Sequence, residues 1–448
     1  MVTSPVHGLS RNRHFKNDRE DRWLPEVDGL RAFACLAVVF AHYTPWETVA
    51  KVVYQGALAP RWSGLLIIPI GSLGVELFFA ISSFLLTYLA VREYRSTGSF
   101  SPKRFLIRRT LRIWPLYYTI VFVHIALAFL IKPHFPPPDT MLDPYGWFIN
   151  EAWIYPIFLQ NWINPTLAEI GILWSLGVEE QFYLLFPWVM VAIFSRRVAP
   201  ITVVVALIVS NAVYIFSFAA GFTLATSGMY YATPTYFGIF AAGAWAGWIV
   251  GHDGRVWQVC RDILRRYSVP LGIAMIVTIC VVGYKPGDRI HSPSWLSFPT
   301  FAALAMCYTG FILWLLANRD TAIARFFRSA KMRELGFLSF GIYMWHIVAK
   351  VLVFWRFQAI DMVRLGPDAT FLLTFVYYVA GAVGFATLTY VGVERPVLRL
   401  KDRYFQHRRP GPTARVLEMP DRRIWPWYCL WSLGVIAAVE VVLFFALR

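Results

Sequence analysis

The feature that most constrains this chain is a series of eleven apolar runs, each close to the length of a membrane-crossing helix. Such a helix takes about 20 mostly apolar residues. Hydrophobic residues make up 58% of the 448 residues and charged residues 15%, against about 25% charged in soluble domains. The sequence therefore predicts an all-α polytopic membrane protein, a bundle of about ten to eleven transmembrane helices. The predicted spans are residues 30–49, 65–91, 113–131, 171–194, 200–220, 234–250, 269–284, 298–318, 335–356, 370–392 and 425–447.

Lysine and arginine residues are concentrated in alternate segments between these spans. Positive residues are retained on the cytoplasmic side during insertion, so the asymmetry predicts a multi-pass protein of the plasma (inner) membrane with a cytoplasmic N-terminus. It also explains the net charge of +16 without nucleic acid, since a nucleic-acid binder gathers its basic residues on one surface. The segments 1–31, 92–112, 195–200, 251–268, 317–335 and 393–424 hold 33 of the 42 basic residues.

Four regions are expected along the chain: a cytoplasmic tail over 1–29, a transmembrane domain over 30–396, a cytoplasmic loop over 397–424 and an additional helix over 425–448. The tail contains the polar run RNRHFKNDREDR and has no signal-peptide pattern. The outward segment 132–170 is rich in aromatic residues, which predicts a lid or re-entrant piece at the interface. The five cysteines are scattered, so neither a disulfide framework nor a metal site is predicted.

Four ionisable side chains fall within the predicted spans: His42, Glu76, Glu179 and His346. Such a group normally faces an interior cavity and has a partner there. With a helical rise of about 1.5 Å per residue, His42 and Glu179 are predicted to lie roughly 12 Å below the outer surface of a hydrocarbon core about 30 Å thick. Glu76 and His346 come out near the midplane, so the four are predicted to line one polar cavity. Each alone could equally be a structural group that bonds to a neighbouring helix.

A run of arginines lies just before the third predicted span, in the sequence RFLIRRTLRIWPLYY. Arg109 and Arg112 are three residues apart and therefore share a helical face. Guanidinium groups suit phosphate oxygens, so these residues are candidates for binding a phosphorylated ligand. On composition alone, ordinary positive-inside anchoring is the favoured explanation, and the same holds for Arg31 near the start of the first span.

Ordered motifs across residues 24–396 resemble those of the acyltransferase 3 family of integral-membrane acyltransferases. The stretch LPEVDGLRAFACLAVVFAHY places the family's arginine and histidine, with ten residues between them, at Arg31 and His42. A single RxxR would carry little weight, but several elements in the family's order are specific. The later elements are GVELFFAISSFLL with Glu76, RTLR with Arg109 and Arg112, WSLGVEEQFY with Glu179 and Tyr183, YMWH with Tyr343 and His346, and VERP at 393–396.

The resemblance implies an O-acyltransferase that moves an acyl group, acetyl in the first instance, from cytoplasmic acyl-CoA to a hydroxyl of a carbohydrate-containing or other small acceptor. Arg109 and Arg112, together with Arg31, would bind the phosphates of CoA. His42 is expected to act as general base, with Glu179 orienting it, although His42 could instead carry the acyl group covalently. No permanently bound cofactor and no metal ion is expected. The remaining expected cavity residues are Glu76, Tyr183, Tyr343 and His346.

Three features depart from the family pattern. Ser83 stands where the family usually has glycine, the span at 425–447 exceeds the usual ten, and the hydrolase-like domain of some members is not found. A member of this kind is therefore expected to act alone or with a separate extracytoplasmic partner. The main alternative function is a proton-coupled transporter or flippase of an acylated or anionic substrate, because intramembrane His and Glu also serve proton relays. Transporters usually show broken helices in repeated halves, and no such pairing is evident.

Overall fold

The computed structural model describes residues 24–43, 70–131, 152–163, 168–222, 228–283, 296–357, 364–406 and 424–446. These residues form helices and no strands, so the predicted all-α polytopic class is confirmed. The longer helices in this part of the chain are α1 (Pro25–Tyr43), α2 (Ile70–Thr97), α3 (Pro102–Ile131), α4 (Trp174–Phe194), α5 (Pro200–Ala219), α6 (Phe237–His252), α7 (Arg255–Arg266), α8 (Ser268–Gly283), α9 (Ser297–Ala317), α10 (Ala330–Arg356), α11 (Pro367–Thr389), α12 (Arg395–Gln406) and α13 (Ile424–Ala446).

Shorter elements connect several of these helices. Single helical turns lie at Gln160–Ile163 and Ala322–Phe327, and a π-helical turn at Tyr390–Glu394 joins α11 to α12. The 3₁₀ turns are Ala152–Ile157, Ala168–Leu173, Met229–Tyr231 and Thr233–Tyr236. Residues 1–23 of the predicted tail and 407–423 of the predicted loop lie outside the described residues, whereas α12 occupies the start of that loop.

Each of the eleven predicted spans overlaps one of the longer helices, and residues 44–49, 65–69, 284 and 447 of these spans lie outside the described residues. The count of eleven transmembrane helices stays a prediction, because length and apolar composition alone identify seven candidate spans in the described part of the chain. The seven are Leu73–Thr97, Gly171–Phe194, Pro200–Ala219, Ser297–Ala317, Ala330–Val353, Asp368–Leu400 and Pro426–Phe444.

A stripe of glycines brings α2 and α6 into close contact. Gly243, Gly247 and Gly251 lie four residues apart on α6, and all three face α2. A Cβ atom added at Gly247 would lie 2.3 Å from the carbonyl oxygen of Phe84, which is closer than real contacts allow. Small residues at this spacing let membrane helices pack backbone against backbone. Ser83, the residue that departs from the family pattern, is fully buried beside Gly243.

The segments predicted to be cytoplasmic meet at one end of the bundle, which we call the basic end. Glu26 in the first turn of α1 forms ion pairs with Arg319 at 3.2 Å and Arg328 at 3.7 Å, both from the connection between α9 and α10. Tyr428 near the start of α13 donates to Glu334 in α10 at 2.7 Å. These contacts agree with the predicted alternation of helix directions. That the basic end faces the cytoplasm is a prediction from the charge distribution.

The opposite end, which we call the far end, holds the last turns of α1 and α10 and the first turns of α11. Tyr43 at the end of α1 donates to the carbonyl oxygen of Phe371 in α11 at 3.1 Å. Arg356 at the end of α10 donates from Nε to Glu440 of α13 at 2.7 Å. The additional C-terminal helix is therefore bound to α10 by side chains at both of its ends.

The described part of the outward segment 132–170 folds back into the bundle. Tyr155 and Asn161 are fully buried. Tyr117 of α3 donates to the carbonyl oxygen of Tyr155 at 2.8 Å, and Gln181 of α4 donates to Asn161 Oδ1 at 2.9 Å. Residues 152–163 therefore pack against α3 and α4, and the expectation of a lid or re-entrant piece at the interface stays a prediction.

Candidate active site

A cavity of about 180 Å³ lies among α1, α2, α3, α4 and α10. We call it the arginine-lined cavity, because Arg31, Arg109 and Arg112, the three arginines predicted to bind phosphate, all line it. Its lining begins with Leu24 and Asp28 at the basic end and continues to Tyr343 in the interior of the bundle. The polar lining residues are Asp28, Arg31, Ser82, Tyr88, Glu93, Arg108, Arg109, Arg112, Ser175, Glu179, Tyr183 and Tyr343.

The arginines of this cavity differ in their partners. Arg108 forms an ion pair with Glu93 at 2.9 Å. Among the described residues, Arg31, Arg109 and Arg112 form neither an ion pair within 4 Å nor a side-chain hydrogen bond. Arg31 and Arg109 repel Arg112 electrostatically, whereas Asp28 and Glu394 attract it from beyond ion-pair distance. Buried cations normally pair with an opposite charge, so this group of three is suited to bind an anion that enters from outside.

Glu179 lies in the wall of the arginine-lined cavity. Ser82 donates to its Oε1 at 2.9 Å, and the hydroxyl of Tyr183, one turn further along α4, donates to its Oε2 at 2.9 Å. Arg31 and Arg109 attract it electrostatically. An ionised carboxylate accepts at both oxygens, so Ser82 and Tyr183 fix the orientation of Glu179 beside the arginines.

His42 of α1 and His346 of α10 form a pair of imidazoles, with ring centroids 5.0 Å apart. Nδ1 of His42 donates to the carbonyl oxygen of Val38 at 2.9 Å, and Nδ1 of His346 donates to that of Tyr343 at 2.5 Å. Because a carbonyl oxygen only accepts, Nδ1 carries the hydrogen in both rings, and Nε2 of each neutral imidazole keeps its lone pair. Nε2 of His346 is buried without a hydrogen-bond partner among the described residues.

Tyr343 separates the histidine pair from the arginine-lined cavity. It lines the cavity, and its ring centroid lies 5.6 Å from that of His346. Its hydroxyl donates to the carbonyl oxygen of Ile172 at 2.9 Å and lies 2.6 Å from Ser175 Oγ. Neither His42 nor His346 lines the cavity. The predicted site is therefore divided into two adjoining groups that meet at Tyr343.

The predicted contact between Glu179 and His42 needs correction. The carboxylate bonds to Ser82 and Tyr183, and no hydrogen bond joins it to His42 in the described structure. The predicted depth of Glu179 assumes that its span begins at the outer surface of the membrane. Residues 152–163 instead cover the start of α4, where Asn161 Oδ1 lies 2.8 Å from the position of a Cβ on Gly177. Glu179 consequently lies at the level of the arginines.

Glu76 also takes a position that differs from the prediction. It is fully buried, and it accepts a hydrogen bond from Tyr308 at 2.9 Å, which links α2 to α9. It is not among the residues that line the arginine-lined cavity. This contact matches the structural alternative, in which an ionisable group bonds to a neighbouring helix.

Sequence reasoning missed two ionisable residues of this region. Glu180 is buried next to Glu179, and its Oε2 accepts from Nε1 of Trp114 at 3.2 Å. Lys350 lies one turn beyond His346 on α10 and acts electrostatically on both histidines. Lys350 falls inside the predicted span 335–356. It is therefore an ionisable group in an apolar run, which is the same signal that identified His42, Glu76, Glu179 and His346.

Together, the fold and the site define a polytopic helical membrane protein with an arginine-lined cavity at one end and a histidine pair beside it. Residues 24–391 match the family described as acyltransferase domain. The chain belongs to this family, and the predicted family membership is confirmed. No group of three His, Cys, Asp or Glu side chains that could hold a metal ion occurs in the described ranges.

Two relatives illustrate the extent of the similarity. O-acetyltransferase OatA of Staphylococcus aureus (strain NCTC 8325 / PS 47) is 27% identical over 334 residues, which cover 72% of this chain and 50% of that protein. The "Putative O-acetyltransferase SACOL0978" of Staphylococcus aureus (strain COL) is 23% identical over 407 residues, 87% of this chain and 59% of that protein. The chain thus spans about half the length of the curated relatives it matches. No solved structure matches it.

Proposed function

We propose that this membrane protein is an O-acyltransferase that takes an acyl group, specifically acetyl, from acyl-CoA. The acceptor is a hydroxyl of a carbohydrate-containing or other small molecule. The observation that carries the proposal is the arginine-lined cavity, which lies inside the bundle of a chain from an acyltransferase family. The names of the relatives, both O-acetyltransferases, support acetyl as the group transferred.

The donor would bind with its phosphates against Arg31, Arg109 and Arg112. These three guanidinium groups form no ion pair within 4 Å in the described residues, and guanidinium forks form paired hydrogen bonds to phosphate oxygens. Arg108 is less suited because Glu93 already neutralises it. The cavity begins at the basic end, so a donor that enters there comes from the cytoplasm if the positive-inside rule sets the orientation. The corresponding location is the plasma membrane.

The acyl end of the donor would extend from the arginines toward the histidine pair. Along α1, Arg31 and His42 are eleven residues apart, which corresponds to about 16 Å of helix. The pantetheine arm of CoA is a long flexible chain that suits such a distance. Tyr343 stands at the boundary between the cavity and the histidines, so the thioester would pass its side chain to reach them.

His42 would act as the general base. Its Nδ1 donates to the Val38 carbonyl, which leaves Nε2 free to accept the proton of the acceptor hydroxyl. The hydroxyl oxygen then bonds to the thioester carbonyl carbon, the carbon–sulfur bond breaks, and the proton passes from Nε2 to the sulfur of CoA. Glu179 would serve as a positioning residue for Arg109 and Tyr183 instead of orienting His42.

The test uses the purified chain in lipid nanodiscs with acetyl-CoA labelled on the acetyl group. We expect the wild type to release CoA and to pass label to water or to an added envelope extract. We expect the double variant Arg109→Gln, Arg112→Gln to lose most of this turnover, and Arg104→Gln, an exposed arginine of the same helix outside the cavity, to keep it. Failure of the wild type to consume acetyl-CoA, or substrate movement across vesicles without any CoA dependence, would favour the transporter.

A further inference from the structure

One cation at the far end is not used by the proposed function. Lys350 is half-buried on α10, on the same helical face as Tyr343 and His346, because the three are spaced by three and four residues. It acts electrostatically on both His42 and His346. On α10, Lys350 lies one turn beyond His346, on the side away from Tyr343 and the arginine-lined cavity.

The other cation in the last turns of α10 is neutralised, whereas Lys350 is not. Arg356 forms a bidentate ion pair with Glu440 of α13. Within the described ranges, Lys350 forms no ion pair and no side-chain hydrogen bond. A charged group in a membrane helix is costly and normally has a partner. Within the described residues, Lys350 is therefore available to bind an anionic group, whereas Arg356 is not.

A second buried group near Lys350 also lacks a partner. Nε2 of His346 is fully buried without a hydrogen bond among the described residues, although its Nδ1 is bonded to Tyr343. A polar atom left unpaired in a low-dielectric interior is unfavourable, because it has lost its hydrogen bonds to water without replacement. An incoming hydroxyl would supply the missing hydrogen bond to Nε2, and an acidic group on the same molecule would supply the missing charge for Lys350.

We propose that His42, His346 and Lys350 form the acceptor-binding site and that Lys350 selects acceptors with a carboxylate or phosphate group close to the reacting hydroxyl. This inference rests on the proposed acyl transfer and adds the substrate class. The donor and acceptor then bind on opposite sides of Tyr343, the donor phosphates at Arg31, Arg109 and Arg112 and the acidic acceptor at Lys350. Lys350 acts as a specificity-determining residue, while the proton transfer belongs to His42.

The test compares Lys350→Gln, Lys350→Arg and wild type in native membranes supplied with labelled acetyl-CoA. The labelled products are extracted and separated by anion exchange, and phosphatase treatment distinguishes phosphate from carboxylate. We expect the wild-type product to bind the anion exchanger. We expect Lys350→Gln to lower transfer to it by roughly ten- to hundredfold, the effect of one charge-assisted contact, with the KM for acetyl-CoA and the release of CoA to water unchanged. Lys350→Arg should restore most of the transfer.

Lys331→Gln is the matched control, because it removes an exposed lysine from the opposite end of the same helix and should transfer as the wild type does. A labelled product that carries no acidic group would overturn the proposal, as would transfer by Lys350→Gln at the wild-type rate. If both Lys350 variants lose CoA release to the same extent as they lose transfer, Lys350 has a structural role and the proposal is wrong. If wild-type membranes do not consume acetyl-CoA at all, the proposed function itself fails.

Discussion

The imidazole rings of His42 and His346 face each other at a centroid distance of 5.0 Å, across the contact between α1 and α10. Two close contacts fix the register of these helices. A Cβ on Gly336 would lie 1.9 Å from the carbonyl oxygen of Asp28, and Cys35 Sγ donates to the carbonyl oxygen of Ser339 at 3.2 Å. Since the two backbones touch, the histidines are held together by the fold and not by a bond between them.

The first prediction concerns His42 as the base. His42→Gln should lower acetyl-CoA turnover by about 10²- to 10⁴-fold, which is the usual contribution of a general base. His124→Gln is the matched control, because His124 on α3 also donates from Nδ1 to its own helix, at the carbonyl oxygen of Ile120, 2.9 Å away, but belongs neither to the histidine pair nor to the cavity lining. Turnover is measured as CoA release. A His42→Gln rate within twofold of wild type would remove His42 from the catalytic role.

The second prediction concerns the geometry of phosphate binding at Arg112. Arg112→Lys keeps the charge but loses the planar fork, and Arg112→Gln loses both. We expect the KM for acetyl-CoA to rise about tenfold in the lysine variant and further in the glutamine variant, since charge-assisted hydrogen bonds contribute about 1.5–3 kcal/mol. The measurement is a donor titration at fixed acceptor. Equal KM values in all three proteins would contradict a phosphate site at this position.

The third prediction separates two adjacent carboxylates. Glu179 lines the arginine-lined cavity and accepts from Ser82 and Tyr183, whereas Glu180 accepts from Trp114 outside the cavity lining. Glu179→Gln removes the charge beside Arg31 and Arg109 and should lower turnover by roughly ten- to hundredfold. Glu180→Gln still offers an oxygen to Trp114 and should stay near the wild-type rate. The opposite ranking in the same CoA-release assay would contradict the assignment.

The fourth prediction concerns helix packing rather than chemistry. Gly247→Ala places a methyl group against the backbone of α2, 2.3 Å from the Phe84 carbonyl oxygen, so α2 and α6 must separate. We expect a clear drop in the thermal unfolding temperature in detergent, in line with the 1–3 kcal/mol typical of overpacking. Gly272→Ala in α8 meets no atom within 4 Å and should be neutral or slightly stabilising, because alanine favours a helix. Equal melting temperatures would show that α2 and α6 are not in close contact.

Much of the architecture follows from local sequence properties. An apolar run of about 20 residues can satisfy its backbone in a bilayer only as a helix, and all eleven such runs overlap helices. The alternating basic segments likewise predicted which helix ends come together, and Glu26, Arg319 and Arg328 meet at one of them. The motif residues Arg31, Arg109, Arg112, Glu179, Tyr183 and Tyr343 all line one cavity.

The depth and rotation of individual side chains did not follow from the sequence. Glu179 was expected against His42, but it bonds to Ser82 and Tyr183, because the residues around Asn161 cover the start of α4. Glu76 was expected in the cavity, but it bonds to Tyr308 between α2 and α9. Both predictions estimate the depth of a side chain by counting residues along one helix. They assume that the helix begins at the membrane surface and that the side chain faces the centre of the bundle.

The sequence by itself determined the helical class, which apolar runs form helices, which helix ends lie together, and the family. These features follow from hydropathy, charge and motif spacing, which are properties of single chain segments. Only the tertiary structure decided that the site has two parts, with Glu179 among the arginines and His346 and Lys350 beside His42. Those positions depend on how far each helix is shifted and turned against its neighbours. That is set by contacts such as Gly247 on Phe84 and Gly336 on Asp28, between residues that lie far apart in the chain.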